Sequence, residues 1–193
     1  MSIWNKNLKN KTDAELMLLL RKGDKEAFSA LYDRYADKLV SFFYRMLNKD
    51  SEKSQDFMHD LFVKIIENPA SFDTNQRFDT WVFHVAFNMC KNEYRKMAVR
   101  DEFRGNYMYA DHAIDEPSLH RIDHLKFTEE LNENLGMLDE RQRSAFILKY
   151  QQELSLKDIA EIMDCPEGTI KSRLFYAIKF LSEKLTVFDP KVN

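Results

Sequence analysis

A proline-led restart between two apolar-striped helices constrains this chain more than any other feature. Ser155 can cap a short helix, with Asp158 three residues later in its first turn. Leu156, Ile159, Ala160 and Met163 then follow helical spacing, which predicts one apolar face. Asp164-Cys165-Pro166 breaks that pattern. Proline has no N–H and a fixed φ, so Pro166 fits the first turn of a new helix and not the end of the old one. Beyond it, Ile170, Leu174, Ala177, Leu181 and Leu185 repeat at helical intervals and are expected to pack inward. Two helices joined this tightly read as a helix-turn-helix, the arrangement that lays one helix in the major groove of duplex DNA.

The other face of the second helix has the chemistry for that task. Lys171, Ser172, Phe175, Tyr176 and Lys179 point away from the packing, and Thr169 and Arg173 complete the candidate DNA-contacting set. Lys171 and Arg173 can neutralise phosphates or donate to guanine edges. Ser172 can bond a base or a phosphate, and Phe175 can pack on a thymine methyl. Arg173 stands near the packing seam, where a long side chain can also lie along apolar surface. A further helix opens at Leu138-Asp139-Glu140-Arg141 with Asp139 as its cap, and Phe146, Ile147 and Tyr150 supply bulk to bury. The C-terminal unit is therefore expected over residues 127–188 as a small helical bundle.

Four glycines and four prolines in 193 residues leave little turn chemistry, and no long stretch alternates with strand period. The predicted fold class is all-α. A formal net charge of -3 gives no global pull toward nucleic acid, so any DNA affinity must come from local patches. Cys90 and Cys165 are too few for a disulfide framework and lack metal-ligand spacing, which suits small thiols in a reducing compartment. No apolar run approaches a membrane span and the N-terminal residues lack a signal-peptide core, so a soluble cytoplasmic protein is expected.

The N-terminal part reads as a first helical domain over residues 10–96. Thr12 and Glu15 form a capping box, Gly23 ends that helix, and Asp24 caps the next, which carries Ala27, Phe28, Leu31, Tyr35, Leu39, Phe42, Phe43 and Met46. Another helix holds Phe57, Leu61, Phe62, Ile65 and Ile66, with Pro69 just past its end. A helix over residues 78 to about 96 follows a loop, with Trp81 and Phe83 in the core. Residues 97–126 change character: Asp101, Glu102, Asp111, Asp115, Glu116 and Asp123 dominate and periodicity is weak, as in a flexible acidic linker.

Two constellations in the first domain bear on function. Asp56, His59 and Asp60 share one helical face by their i, i+3, i+4 spacing, which suits docking to a basic protein surface and equally suits a solvated charge face. His84, Asn88, Lys91 and Arg95 form a narrow polar stripe on an otherwise apolar helix. Such a stripe can track a nucleic-acid strand, with Lys91 and Arg95 on phosphates and Asn88 on a base or the backbone. The loop before it, with Phe72, Asn75, Gln76 and Arg77, could hold an unstacked base against aromatic and amide groups.

With these pieces in order, the chain resembles a sigma factor of bacterial RNA polymerase, of the compact extracytoplasmic-function (ECF) group in the sigma-70 family. Region 2 of that family resembles Gly23-Asp24 through Ala27-Phe28, then Asp56-Phe57-Met58-His59-Asp60-Leu61-Phe62, then Phe78 onward to Arg95. Region 4 resembles Leu138 onward to Leu181, most sharply in Gly168-Thr169-Ile170-Lys171-Ser172-Arg173-Leu174. The acidic middle stands where the group replaces region 3 by a linker. The resemblance implies a transcription initiation factor and not an enzyme, without catalytic residues, cofactor or metal. It implies that region 2 recognises and helps open a minus-10 element while region 4 reads a minus-35 element. It also implies that Asp56, His59 and Asp60 dock on the clamp helices of the polymerase beta-prime subunit. Groups near Phe146 and Tyr150 would meet the flap of the beta subunit, and an anti-sigma protein would mask the factor.

The chain departs from the family where His59 stands for glutamine and Asp60 for glutamate. Tyr176 and Ile178 stand where arginines are common in the recognition helix. One rival reading is a stand-alone helix-turn-helix regulator, acting as a dimer. A second is a helical metalloenzyme built on Asp56-x-x-His59 and on His120-x-x-x-His124 with Asp123.

Overall fold

In a computed structural model the backbone is described for residues 6–104 and 119–186, and side-chain surroundings for residues 8–99 and 126–186. The described residues contain helices and no strand, as expected. The helices are α1 (Lys6–Lys9), α2 (Asp13–Arg21), α3 (Lys25–Met46), α4 (Ser51–Glu67), α5 (Phe78–Arg104), α6 (Leu119–Met137), α7 (Glu140–Tyr150), α8 (Leu156–Ile162) and α9 (Glu167–Lys184), with a 3-10 turn at Pro69–Ser71. Helix α5 runs past residue 96 and α6 starts before residue 127, so helical backbone enters both ends of the expected linker. Asp111, Asp115 and Glu116 lie outside the described residues, as do the side chains of Asp101, Glu102 and Asp123.

Local signals place the helix ends. Thr12 and Glu15 exchange side-chain and backbone hydrogen bonds at the start of α2, and Ser155 and Asp158 do the same for α8. Gly23 takes φ +84, a conformation open to glycine, and Asp24 caps α3 by accepting from the backbone of Glu26 and Ala27. Asp139 caps α7 in the same way. In the tight turn between α8 and α9 the chain reverses through Asp164 at φ 49, and Pro166 takes the cap position just ahead of α9.

Helix α3 is the axis of the N-terminal bundle. Leu31, Leu39, Phe42, Phe43 and Met46 are fully enclosed by α2, α4 and α5. Aromatic edges lock the layers: Phe28 meets Phe62 at 5.8 Å and Phe42 meets Phe83 at 5.6 Å between ring centroids. Ile66 does not join this core. It is 48% exposed, as is Val63, because both lie on the outer face of α4.

The two regions do not stand apart as separate heads. Helix α8 lies along α5 and α7 lies against α3. Ala145, Ile147, Leu148, Ile159, Ile162 and Ile170 share one buried cluster with Leu31, Phe42 and Phe83. A smaller cluster of Leu135, Leu138, Ala177 and Leu181 seats α6 on α9. Hydrophobic periodicity foretells which faces are buried, and here the face left over on each bundle is covered by the other.

A polar clasp supplements that apolar contact. Arg143 of α7 is 7% exposed and donates to Asn48 Oδ1 at 3.2 Å, to the Gly136 carbonyl at 3.2 Å and to the Leu138 carbonyl at 3.1 Å. Its Nη1 also lies 3.5 Å from the Met46 carbonyl at the end of α3. The Tyr94 hydroxyl donates to that same carbonyl. A buried guanidinium on carbonyls at two helix ends satisfies groups that the helices leave unpaired and complements their dipoles. Replacing it strands those acceptors. Arg143→Ala is expected to lower unfolding free energy by about 3 kcal/mol, read as a shift in the urea midpoint with little change in slope.

Candidate nucleic-acid and polymerase interface

The recognition surface of α9 follows from what that helix buries. Ile170, Leu174, Ala177 and Leu181 face the core, so Ser172 and Lys179 lie on the opposite side, flanked by Lys171 and Phe175 on one edge and Tyr176 on the other. Lys171, Ser172, Phe175, Tyr176 and Lys179 are all exposed, and Thr169 is half-buried at the first turn. Arg173 takes a different course. It is half-buried, and its Nη1 lies 3.3 Å from the Cys165 sulfur in the preceding turn.

The stripe on α5 is present, and its members differ in access. Asn88 Nδ2 and His84 Nε2 are 2.8 Å apart, one helical turn from each other, and both residues are half-buried. Lys91 is half-buried and Arg95 exposed. The cationic end of this stripe does not look onto open solvent alone. Lys91 and Arg95 line a cleft of about 520 Å³ together with Arg141, Arg173, Cys165 and Glu140. The packing therefore brings the polar stripe of α5 and the helix-turn-helix to one shared cleft. Burial pushes the Glu140 carboxyl up, while the charges of Arg141, Arg143, Lys91 and Arg95 act against that rise.

The loop before α5 requires a correction. Phe72 is fully buried, with Phe78 and Trp81 both 5.3 Å away between ring centroids, so it belongs to the core and offers no face to a base. The loop is pinned from beneath by Arg21, which donates to the Phe72 carbonyl and, at 3.1 Å, to the Pro69 carbonyl. Asn75 and Gln76 are its exposed amides, and Asn75 is braced by Asp73 through bonds of 2.9 and 3.0 Å. Arg77 is tied to Asp79 and reaches Asp158 of α8 at 3.1 Å.

Asp158 is the residue that sequence reasoning missed. Its capping role was legible, but its second role was not. One carboxylate closes the α8 capping box at 2.6 Å from Ser155 Oγ and also receives Arg77 and, at 3.4 Å, the Thr80 hydroxyl of α5. Burial tends to raise its pKa. The Ser155 hydrogen bonds, the Arg77 charge and the Thr80 hydroxyl outweigh that and hold it below the usual carboxylate range.

On α4, Asp56, His59 and Asp60 are exposed on one face, and Val63 continues that face one turn on with Ile66 close beside it. Those two exposed aliphatics were also missed; their spacing from Asp56 and His59 was the available signal. Phe146 is half-buried and stacks near Tyr150, which is 51% exposed, at 4.9 Å between ring centroids. Among the described residues no group of histidines, cysteines and carboxylates is placed to hold a metal ion; the side chains of His120, Asp123 and His124 lie outside that set. No helix among the described residues is long and apolar enough to cross a membrane.

A helix-turn-helix with an open recognition face, packed on a helical bundle that carries its own polar stripe and a separate acidic face, defines a DNA-binding factor of two parts. Comparison with known proteins identifies both. Residues 31–99 match the family model for sigma-70 region 2, and residues 128–181 match that for sigma-70 region 4. The chain is 31% identical over 177 residues to the ECF RNA polymerase sigma factor SigW of Bacillus subtilis, covering 86% of this chain and 92% of that one. It is 31% identical over 184 residues to the ECF RNA polymerase sigma-E factor of Escherichia coli K12, covering 90% and 94%. Among solved structures, the sigma factor RpoE of Bartonella quintana, in complex with the anti-sigma factor NepR, aligns with a TM-score of 0.70 and 26% identity, covering 83% of this chain and 98% of that one. CnrH, in complex with the cytosolic domain of CnrY, shares the fold with a TM-score of 0.69 at 20% identity, covering 93% and 100%. The chain belongs to the sigma-70 family of RNA polymerase sigma factors, in its extracytoplasmic-function group, and is a transcription initiation factor that binds RNA polymerase. The stand-alone regulator is not favoured, because region 2 has no place in it.

The seam between the regions should respond to acid. A carboxylate held below its unfolded pKa stabilises the fold above the ordinary aspartate range, near 3.9, and loses that contribution as pH falls through the depressed value. Urea melts at pH 5 and pH 3 should therefore show a smaller pH-dependent loss of stability for Asp158→Asn than for the parent chain.

Proposed function

We propose that this factor docks on core polymerase through Asp56, His59 and Asp60 of α4 and grips two promoter elements with separate surfaces. The acidic face would meet the clamp helices of the beta-prime subunit, and the apolar groups around Phe146 and Tyr150 would meet the beta flap. In region 2 the minus-10 strand would follow His84, Asn88, Lys91 and Arg95, with Asn75 and Arg77 from the preceding loop. In region 4 the minus-35 duplex would meet Thr169, Lys171, Ser172, Phe175, Tyr176 and Lys179. The observation that carries this reading is the open outward face of α9 on a helix-turn-helix whose partner bundle also exposes an acidic docking face. The functional division is that of residues 10–96, 97–126 and 127–188. The chain works in the cytoplasm, performs no chemistry of its own, and needs no cofactor. An anti-sigma protein is its natural mask; the RpoE neighbour is seen in complex with the anti-sigma factor NepR.

Length makes the packed arrangement a resting state. Elements centred near minus-10 and minus-35 lie about 85 Å apart along a duplex rising about 3.4 Å per base pair. A compact chain of 193 residues has a radius of gyration of roughly 16 Å. Both boxes cannot be held while α8 lies on α5, so the regions separate on the polymerase. Holding two modest DNA contacts on one platform makes the second contact intramolecular, which lets a chain of net charge -3 bind promoters tightly.

Transcript sequencing with core enzyme and a promoter library tests the assignment. Added factor should redirect start sites, and Asp56→Lys should weaken core binding about ten-fold with helicity unchanged. Initiation without any shift in promoter choice would reject it. Separation has its own readout in Cys90 of α5, which is fully buried in the cluster that both regions share, within reach of the charges of Glu140 and Arg143 of α7, and whose thiol burial pushes up. Maleimide should spare Cys90 in the free chain and modify it in the promoter-bound holoenzyme, as mass spectrometry of the labelled peptide would record.

A further inference from the structure

We propose that α9 reads thymine methyl groups in its minus-35 element, through an apolar ridge of Phe175 and Tyr176, and makes no two-pronged arginine contact to guanine. This rests on α9 being the minus-35 recognition helix. Phe175 is 63% exposed and Tyr176 56%, unusual for large rings on a monomer's surface unless something covers them. Their rings brace each other edge to face at 5.4 Å and 77°, so they form one projecting unit. They straddle the line of Ser172 and Lys179, directly opposite the buried stripe. Ile178, 42% exposed, extends the apolar surface along the Phe175 edge.

The missing partner is as informative. Guanine offers N7 and O6 to the major groove, and the common reader of that pair is a bidentate arginine. The sole arginine of α9 is Arg173, and its guanidinium is turned back to Cys165 of the preceding turn. That contact is made within the helix-turn-helix and not across the seam. Lys171 and Lys179 remain as outward cations. Each is a point charge suited to a phosphate. Thymine alone among the bases presents a methyl group in the major groove, and apolar side chains read it by contact. Two rings astride a polar line, with Lys171 at one margin and Lys179 further along that line, suit a groove: apolar contact with the base edges, and cations placed to meet the phosphates. The duplex is therefore the occupant of this ridge, in preference to an apolar protein surface.

Holoenzyme made with core polymerase would select from promoters whose minus-35 box is randomised. The selected box would then be rebuilt with deoxyuridine for each thymidine in turn, which deletes only the methyl group. The expected result is enrichment of T·A pairs, with a three- to five-fold loss of affinity, about the worth of one buried methyl, at one or two of them. Phe175→Ala and Tyr176→Ala should abolish the thymine-over-uracil preference. Lys171→Ala should weaken every box alike and keep the preference. The uracil comparison uses the unaltered factor, so it does not depend on a variant folding. Guanine enrichment, or equal affinity for thymine and uracil boxes, overturns the proposal while leaving the sigma assignment intact. So does ridge variants losing an anti-sigma partner with unchanged promoter choice. Holoenzyme that selects no promoter at all overturns both.

Discussion

The buried guanidinium of Arg143 sits where two helices run out of hydrogen-bond donors. It reaches the carbonyls of Gly136 and Leu138 around the C-terminal end of α6, and Asn48 with the Met46 carbonyl just past α3. A charge at this depth is tolerated because it meets the negative ends of two helix dipoles and several lone pairs at once. Helix α7 is thereby fixed against α3, and α8 and α9 follow because they pack on α7. The placement of the whole helix-turn-helix on the N-terminal bundle depends on this one cation, bonded through both Nη nitrogens while its Nε is buried without a partner, more than on any surface ion pair. The Arg77–Asp158 pair at 3.1 Å is weaker support, since the Arg77 side chain is 61% exposed and solvent screens it.

The seam is built to be specific without being permanent. Its apolar part, around Ile159 and Phe83, supplies the larger share of the attraction and sets no fine register. Its polar part does set register, because Asp158 accepts from Ser155, Arg77 and Thr80 in one geometry. Neither part is beyond reach of a competing surface. A polymerase that binds the separated regions better than the packed ones shifts the balance by that difference in affinity, and by nothing else. An anti-sigma protein that prefers the packed form shifts it the other way.

Much of this was legible in the residues. The capping pairs Thr12–Glu15 and Ser155–Asp158, the glycine at the end of α2 and the proline ahead of α9 place helix ends by local chemistry alone. The outward set on α9 follows from period. What period cannot tell is which partner covers a face. Phe72 looked available because it stands in a loop, yet its ring fills the space beside Phe78 and Trp81. Ile66 looked buried because it is aliphatic beside Ile65, yet one step around α4 puts it outside. Arg173 reads as outward by its charge, yet its guanidinium lies 3.3 Å from a sulfur eight residues back. Each of these depends on contacts between elements, and spacing within one element has no information about them.

The packed form also brings like charges together. Lys91, Arg95, Arg141 and Arg173 line one cleft, with Glu140 and Asp164 as its acids. At physiological salt the screening length is about 8 Å, so cations across a cleft of this size still repel. Burial of apolar surface holds the regions together against that repulsion. On the proposed reading the balance reverses on promoter DNA, because Lys91 and Arg95 would each gain a phosphate and that attraction would favour separation. The side chains proposed to bind the template would thus bias the molecule toward the open arrangement needed to reach it. DNA engagement and opening would then draw on the same cations, with no separate switch residue.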